Sequence, residues 1–554
     1  MLASPQHPLT LHAAFDAARK RAGSLPFLAQ SALSGGQQWT FEQAGEQIDH
    51  LAAGYRASGW GTGHRVALAL GNHPRHFFHF IALNRVGASI VPLNPDHQAG
   101  EIRHALRLAQ VDLVVAQQDR LLAVAQAVGD DAPLRGMPLV AVEDFAQALV
   151  AAPRPALAHA HAADLEADLE AAILFTSGTS GPPKGCILSN RYVMTAGAWY
   201  RDLGGLLHLR HGQERLLNPL PVFHMNCGMT TIATMCLTDN CLVMPDRFHA
   251  TRWWEDCVKS GATAMHYLGI MPPALSKQPP GPWEAQHQMR FALGAGCDPG
   301  LHPAFETRFG LALVEVWGMT ETGRFLANQH EPRSTDTRAF GRATAPLEVR
   351  VVDDRDQNVA DGTPGEMLVR AHGSDPRHGF FAGYLNDEEA TAAAWRGGWF
   401  HTGDVVTRDA SGMLYFVDRR KDMIRRSGEN ISAGEVEAIL ALHPAVARVV
   451  VLAVADAMRD EEVLAVVVLT PGHTPGAASA EMLVQHCLRE LAYYKAPAWV
   501  VFRQTLPMTA TNKLQKNRIF DTGSDPRAEA FDCRAIKKRP VSAPAQAPRL
   551  APAP

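Results

Sequence analysis

Between residues 65 and 117, short apolar runs and amphipathic stretches take turns, and this alternation limits the fold more than any other feature. "RVALALGN" (65–72) is almost wholly apolar, as a strand covered on both faces must be. "HPRHFFHFIALNRVG" (73–87) carries its apolar residues at helical spacing, and "ASIVPLN" (88–94) returns to strand. "EIRHALRLAQ" (101–110) is helical again, followed by the strand "VDLVVAQ" (111–117). Strands joined through helices cross over and lie parallel. The expected fold class is therefore α/β: a large N-terminal domain of α/β subdomains with mostly parallel sheets.

The texture changes near residue 418. "VDRRKDMIRRSGENIS" is dense in charge, and beyond it come the helix "AGEVEAILALHP" and the strands "VARVVVLAV" and "EVLAVVVLT". Ser432 and Glu435 form an S-x-x-E capping pair at the start of that helix, and another helix is expected near 478–492. The chain of 554 residues thus divides into an N-terminal domain (1–417), a break (418–422), a small α+β C-terminal domain (423–525) and a tail (526–554). The tail ends in "KKRPVSAPAQAPRLAPAP", whose Pro and Ala content predicts disorder.

The formal net charge is -4, so the overall balance does not point to nucleic acid. No run of about 18 apolar residues occurs, which predicts no membrane span. The N-terminus lacks a charged-then-apolar leader pattern. Eight cysteines are scattered without a C-x-x-C pair, so reduced thiols in a cytoplasmic protein are expected, without a disulfide framework or structural zinc. The histidines of "HPRHFFHF" (73–80) read as core or surface groups, not metal ligands.

Chemistry enters with "ILFTSGTSGPPKG" (173–185). Thr176, Ser177, Thr179 and Ser180 supply hydroxyls, Gly178 and Gly181 let backbone N–H groups approach an anion, and Lys184 adds positive charge. It is not a P-loop: past the four residues that follow Gly178 stands Pro183 and not Gly, and Lys184 is followed by Gly185. The glycine spacing also fails the dinucleotide fingerprint. A loop gripping a β,γ-diphosphate remains, beside the plainer reading of a surface turn.

"TSGTSGPPKG" resembles the signature loop of the adenylate-forming superfamily, which includes acyl-CoA synthetases, adenylation domains and firefly luciferase. Further motifs follow in that family's order, so the resemblance covers about residues 10–520. "HTGD" (401–404) and "FVDRRKDMIRRSGENIS" look closest to the crotonobetaine/carnitine–CoA ligase branch. The resemblance implies ATP, Mg²⁺ and coenzyme A, a small-molecule carboxylic acid, and a C-terminal domain that is mobile between two half-reactions. In "VWGMTETG" it implies that Trp317, with Gly318 and Met319, lies on the adenine, that Thr320 binds phosphate and that Glu321 holds Mg²⁺. Gly294, Ala295 and Gly296 of "LGAGCDP" would line the adenine and acyl pockets. Asp404 would accept hydrogen bonds from the ribose and Arg419 would contact ribose and phosphate. Lys421 would be the hinge and Lys513, in "LPMTATNKLQK", the catalytic lysine. His224 would gate the acyl carboxylate, and Gly428 of "SGENI" would leave space for pantetheine. Asn226, Cys227, "HYLGIMPP" (266–273) and Arg324–Phe325 are candidates for the acid pocket, with Arg324 offered to a second anionic group.

The reading is an AMP-forming acid–CoA ligase acting through an acyl-adenylate. Two alternatives stay open: an adenylation enzyme loading a carrier-protein thiol, and a non-catalytic binding protein on the same fold. The sequence also leaves a homo-oligomer open.

Overall fold

In the computed structural model, four sheets organise the chain, and residues 8–129, 131–143, 145, 166–176, 183–419, 423–507, 519–521 and 524–538 are described. Two of the sheets have the character the alternation predicts. In the seven-stranded sheet the strands Arg65–Ala69, Ser89–Pro92, Leu113–Ala116 and Leu139–Ala141 all pair in parallel. In the eight-stranded sheet, five of the seven pairings are parallel, among them Ala264–Leu268 on Phe291–Ala295 and Phe291–Ala295 on Ala312–Gly318.

The crossover helix Pro74–Val86 shows how the sequence builds this. Pro74 stands at its first position, where a missing N–H costs nothing, and the His73 ring accepts from Arg75 N at 3.1 Å. Phe77, Phe78, Phe80, Ile81 and Leu83 are buried between sheet and neighbouring helix, each contributing about 1.5–3 kcal/mol. Gly87 ends the helix at φ +82, and a Cβ there would lie 2.5 Å from Thr62 Oγ1. His76 and His79 are core histidines, as expected. Burial pulls both down to about 3, so they are neutral, and His79 Nδ1 lies 2.8 Å from the Tyr55 hydroxyl.

The third sheet is of another kind. Residues 339–419 form a five-stranded sheet in which every pairing is antiparallel. Alternating strands such as "LEVRVV" and "HTGDVVTR" carry one polar face, which suits an antiparallel sheet open to water on one side.

The fourth sheet belongs to the small C-terminal domain, with the long hairpin Val446–Asp456 and Asp460–Leu469 at its centre and the helices Ala433–Ala441 and Ala477–Glu490 against it. Its apolar core draws only on residues from 424 onward, while the large domain's core ends by Phe416. The start of the Ala433–Ala441 helix is where the S-x-x-E pair places it. The assignment of 526–554 to a disordered tail fails for its first part. Phe531–Asp532 pairs with the strand Trp499–Phe502, Cys533 is buried in the domain core, and Lys537 Nζ lies 2.7 Å from Glu462 Oε2. The composition that signals disorder begins only after these residues. All eight cysteines are free and buried, and among the described residues no helix is long and apolar enough to cross a membrane.

Candidate active site

The glycine loop spans a hairpin. Thr176 ends the strand Glu170–Thr176, Lys184 opens the strand Lys184–Ser189, and the two are register partners. Ser177, Gly178, Thr179, Ser180 and Gly181 lie outside the described residues. Lys184 Nζ lies 2.9 Å from Asp387 Oδ2 and 5.0 Å from the centre of the Tyr384 ring. That bond holds the Asp387 carboxyl below its ordinary range.

Tyr384, which sequence reasoning missed, ties the loop to the next motif. Its hydroxyl donates to Glu321 Oε1 at 2.9 Å. Burial and then the Glu321 charge push the phenol's pKa up, so it is a neutral donor. Phe381 N donates to Glu321 O at 2.9 Å and the Tyr192 hydroxyl donates to Thr320 O at 2.6 Å, fixing the turn after Trp317 from two sides. The only sequence signal for Tyr384 was a tyrosine beside a Gly in "FFAGYLND".

Trp317 stands next to last in the strand Ala312–Gly318, and its indole Nε1 donates to Asp404 Oδ2 at 2.7 Å. Two motifs read separately, 87 residues apart, are thus one buried pair. An acceptor-only carboxylate with about four lone-pair sites keeps capacity for further hydroxyls. Asp404 lies on Phe400–Arg408 with Arg419 as its register partner on the neighbouring strand Met413–Arg419. Lys421 and Lys513 lie outside the described residues.

Gly294, Ala295 and Gly296 end the central strand Phe291–Ala295 and run past it. A Cβ on Gly294 would stand 2.3 Å from Tyr267 O, and Gly296 has φ +89. The close approach expected there is made by the neighbouring strand. Glu315, a second residue the sequence did not reveal, pins this loop. It accepts from Gly296 N at 2.9 Å, from Cys297 N at 3.0 Å and from the Tyr267 hydroxyl. Burial pushes its carboxyl above the ordinary range against the pull of these bonds.

His224 stands at the entrance of the segment Asn226–Thr231, wound as a π-helix, a form frequent at functional sites. His224 Nε2 lies 3.5 Å from Glu429 Oε2 of the C-terminal domain, a charge contact long for a hydrogen bond. Burial alone would raise the Glu429 carboxyl, but His224 and its charge hold it below the ordinary range. Gly428 beside it has φ +88, and a Cβ there would lie 2.3 Å from Leu268 Cδ1. Asn226 and Cys227 open the π-helical segment. Asn226 Oδ1 accepts from Asn218 Nδ2 at 3.0 Å and lies 2.7 Å from His266 Nδ1, in a partly buried network that ends at the buried Tyr200 hydroxyl. Cys227 is fully buried, and burial pushes its thiol well up.

Arg324 is 1% exposed, yet its guanidinium meets no carboxylate among the described residues. Nη2 donates to His378 O at 2.8 Å, while Nε and Nη1 have no partner among the described residues. The Trp199 and Phe380 rings lie 6.0 and 5.4 Å from it. Burial pulls the group down to about 10, so at neutral pH it is charged and poorly compensated.

A single buried carboxylate beside a threonine is what Mg²⁺ asks of protein when nucleotide phosphates and water fill its other positions. Glu321 and Thr320 fit it.

Two family models match: AMP-binding enzyme over residues 15–385, and AMP-binding enzyme C-terminal domain over residues 435–513. The crotonobetaine/carnitine–CoA ligase of Proteus mirabilis is 31% identical over 498 residues, 87% of this chain and 93% of its own. A double mutant of o-succinylbenzoate CoA synthetase from Bacillus subtilis, bound with its product analogue OSB-NCoA, matches with TM-score 0.78 and 23% identity, covering 91% of this chain and 98% of its own. The synthetase from the same organism in complex with the acyl-adenylate intermediate OSB-AMP matches with TM-score 0.63 and 23% identity, over 92% and 98%. The chain belongs to the AMP-binding enzyme family.

Proposed function

We propose that this chain is an ATP-dependent, AMP-forming carboxylic acid–CoA ligase. The observation that carries the reading is the continuous path from Asp404 through Trp317 and the Thr320–Glu321 turn to Tyr384 and Lys184. A carboxylate suited to ribose hydroxyls, an aromatic wall, a carboxylate suited to a hard cation and a lysine suited to phosphate are thereby linked, which supports a nucleoside triphosphate as ligand.

In the first step an oxygen of the substrate carboxylate attacks the α-phosphorus of ATP. The bond to the bridging oxygen breaks and pyrophosphate leaves. Asp404 and Trp317 hold the nucleoside, and Thr176, Thr320 and Lys184 hold phosphate oxygens, so the reacting groups are positioned before charge develops. Glu321 would hold Mg²⁺, which would supply neutralisation of phosphate charge. Lys513, with the hydroxyls of Ser177, Thr179 and Ser180, is assigned the same task by the motif resemblance. In the second step the thiol of coenzyme A loses its proton and attacks the acyl carbon, and AMP leaves with the carbon–oxygen bond's electrons. Arg419 holds ribose and phosphate, Gly428 leaves space for pantetheine, and residues 418–422, with Lys421, are the hinge between the steps.

The Arg324 guanidinium, which meets no carboxylate among the described residues, supports an acid with a second anionic group, since a desolvated fork of donors favours a carboxylate.

The purified chain is incubated with ATP, Mg²⁺, CoA and aliphatic, aromatic, hydroxy, betaine and dicarboxylic acids, and AMP and pyrophosphate are read. AMP formed with one acid only when CoA is present is expected. AMP that needs a carrier protein instead would move the reading to carrier loading. No AMP with any acid, with Lys513→Ala as inert as the parent, would leave a binding protein.

A further inference from the structure

The two domains meet across a buried cation. Lys495 of the C-terminal domain has its Nζ 2.7 Å from Glu101 Oε1 of the large domain and 2.9 Å from Glu435 Oε1 of its own domain. All three side chains are under a tenth exposed. Both carboxylates are the third residues of helices, Ala99–Leu108 and Ala433–Ala441. Glu101 is held in place from behind, because Gln98 N donates to its Oε2 at 3.0 Å. Burial alone would lower the Lys495 ammonium and raise the Glu101 carboxyl. Their mutual charge outweighs it, pushing Lys495 up and Glu101 down. Around this pair Asn94 Nδ2 donates to the Tyr494 hydroxyl at 3.0 Å, and a Cβ on Gly100 would touch Glu490.

We infer that Lys495 is a positioning residue: its bond to Glu101 latches the C-terminal domain in the arrangement that transfers the acyl group to the thiol. The inference rests on the ligase reading above. The two halves of the ion triad differ in kind. Lys495–Glu435 lies within one domain and travels with it. Lys495–Glu101 spans the domains and breaks whenever they turn against each other. Breaking it by rotation returns Glu101 to water while Lys495 keeps Glu435, so the latch opens without stranding a charge. Overlap with solved structures points the same way. The structure superposes better on the B. subtilis synthetase holding a CoA product analogue than on the one holding an acyl-adenylate, with TM-scores of 0.78 and 0.63 at equal identity.

Glu101→Gln tests this, since it keeps the shape and the bond from Gln98 while leaving Lys495 paired with Glu435. Three readouts are taken on the full chain: ATP–pyrophosphate exchange with the acid found in the panel, acyl-CoA formation, and small-angle scattering of the free protein. The expected result is exchange within about twofold of the parent, acyl-CoA formation down about tenfold and a larger radius of gyration. Equal loss in both half-reactions would show mere structural damage and overturn the latch. So would no change in acyl-CoA formation, or an unchanged radius. A parent that forms no acyl-CoA at all would instead overturn the ligase reading, and the latch with it.

Discussion

Lys495 and Arg324 are both buried cations, and they differ in everything else. Lys495 sits between two carboxylates at a domain boundary, and its pKa is pushed up. Arg324 sits between two aromatic rings in the large domain with no carboxylate among the described residues, and its pKa is pulled down to about 10. Burial is common to the two, so burial does not set the sign. The partner does, and the cation without one is the one suited to accept a ligand's charge.

Lys495→Met is the strongest way to break this contrast. It removes the cation that lies against the buried Glu101 and Glu435, and should cost about 3–5 kcal/mol of stability in urea unfolding. A loss under about 1 kcal/mol would mean the triad is wetter than its exposure indicates. Acid sharpens the same point. A carboxyl lowered in the folded state stabilises above its unfolded pKa of about 4.3 and loses that contribution as pH falls through the folded value. The stability gap between the parent and Glu101→Gln should therefore stay constant above about pH 5 and close below about pH 4.

Arg324→Met should behave oppositely, with thermal unfolding unchanged or slightly later because a poorly compensated charge is gone. Its cost should appear in KM for a dicarboxylic acid, up by about thirtyfold, or about 2 kcal/mol. A stability loss comparable to that of Lys495→Met, with KM unmoved, would make Arg324 purely structural. Trp317→Phe extends the comparison to a neutral donor. It removes one bond to a carboxylate, about 1.5 kcal/mol, and should raise KM for ATP about tenfold with the acid's KM unchanged. Asp387→Asn, at the partly exposed Lys184 pair, should change stability by about 0–1 kcal/mol, measurable only as a small shift in denaturation midpoint.

The sequence made the parallel sheets legible because their strands are continuous apolar runs with helices between, as at 65–117. It made the family legible because "TSGTSGPPKG", "WGMTETG" and "HTGD" are contiguous. The antiparallel sheet of 339–419 was not legible, since its half-polar strands carry no run that stands out. Nor were Tyr384 and Glu315, whose roles come from contacts between elements far apart in sequence. The bonds that tie the Asn226 amide oxygen to Asn218 and His266 were hidden for the same reason.

The strand Phe531–Asp532 has a bearing on solubility. The C-terminal sheet would otherwise end at Trp499–Phe502, whose outer row of amide and carbonyl groups could template another copy of the chain. Two paired residues give that edge a short cover, a poor one for a stranger to extend. A chain cut at Asp525 would uncover it, and such a product should self-associate at concentrations where the full chain stays monodisperse.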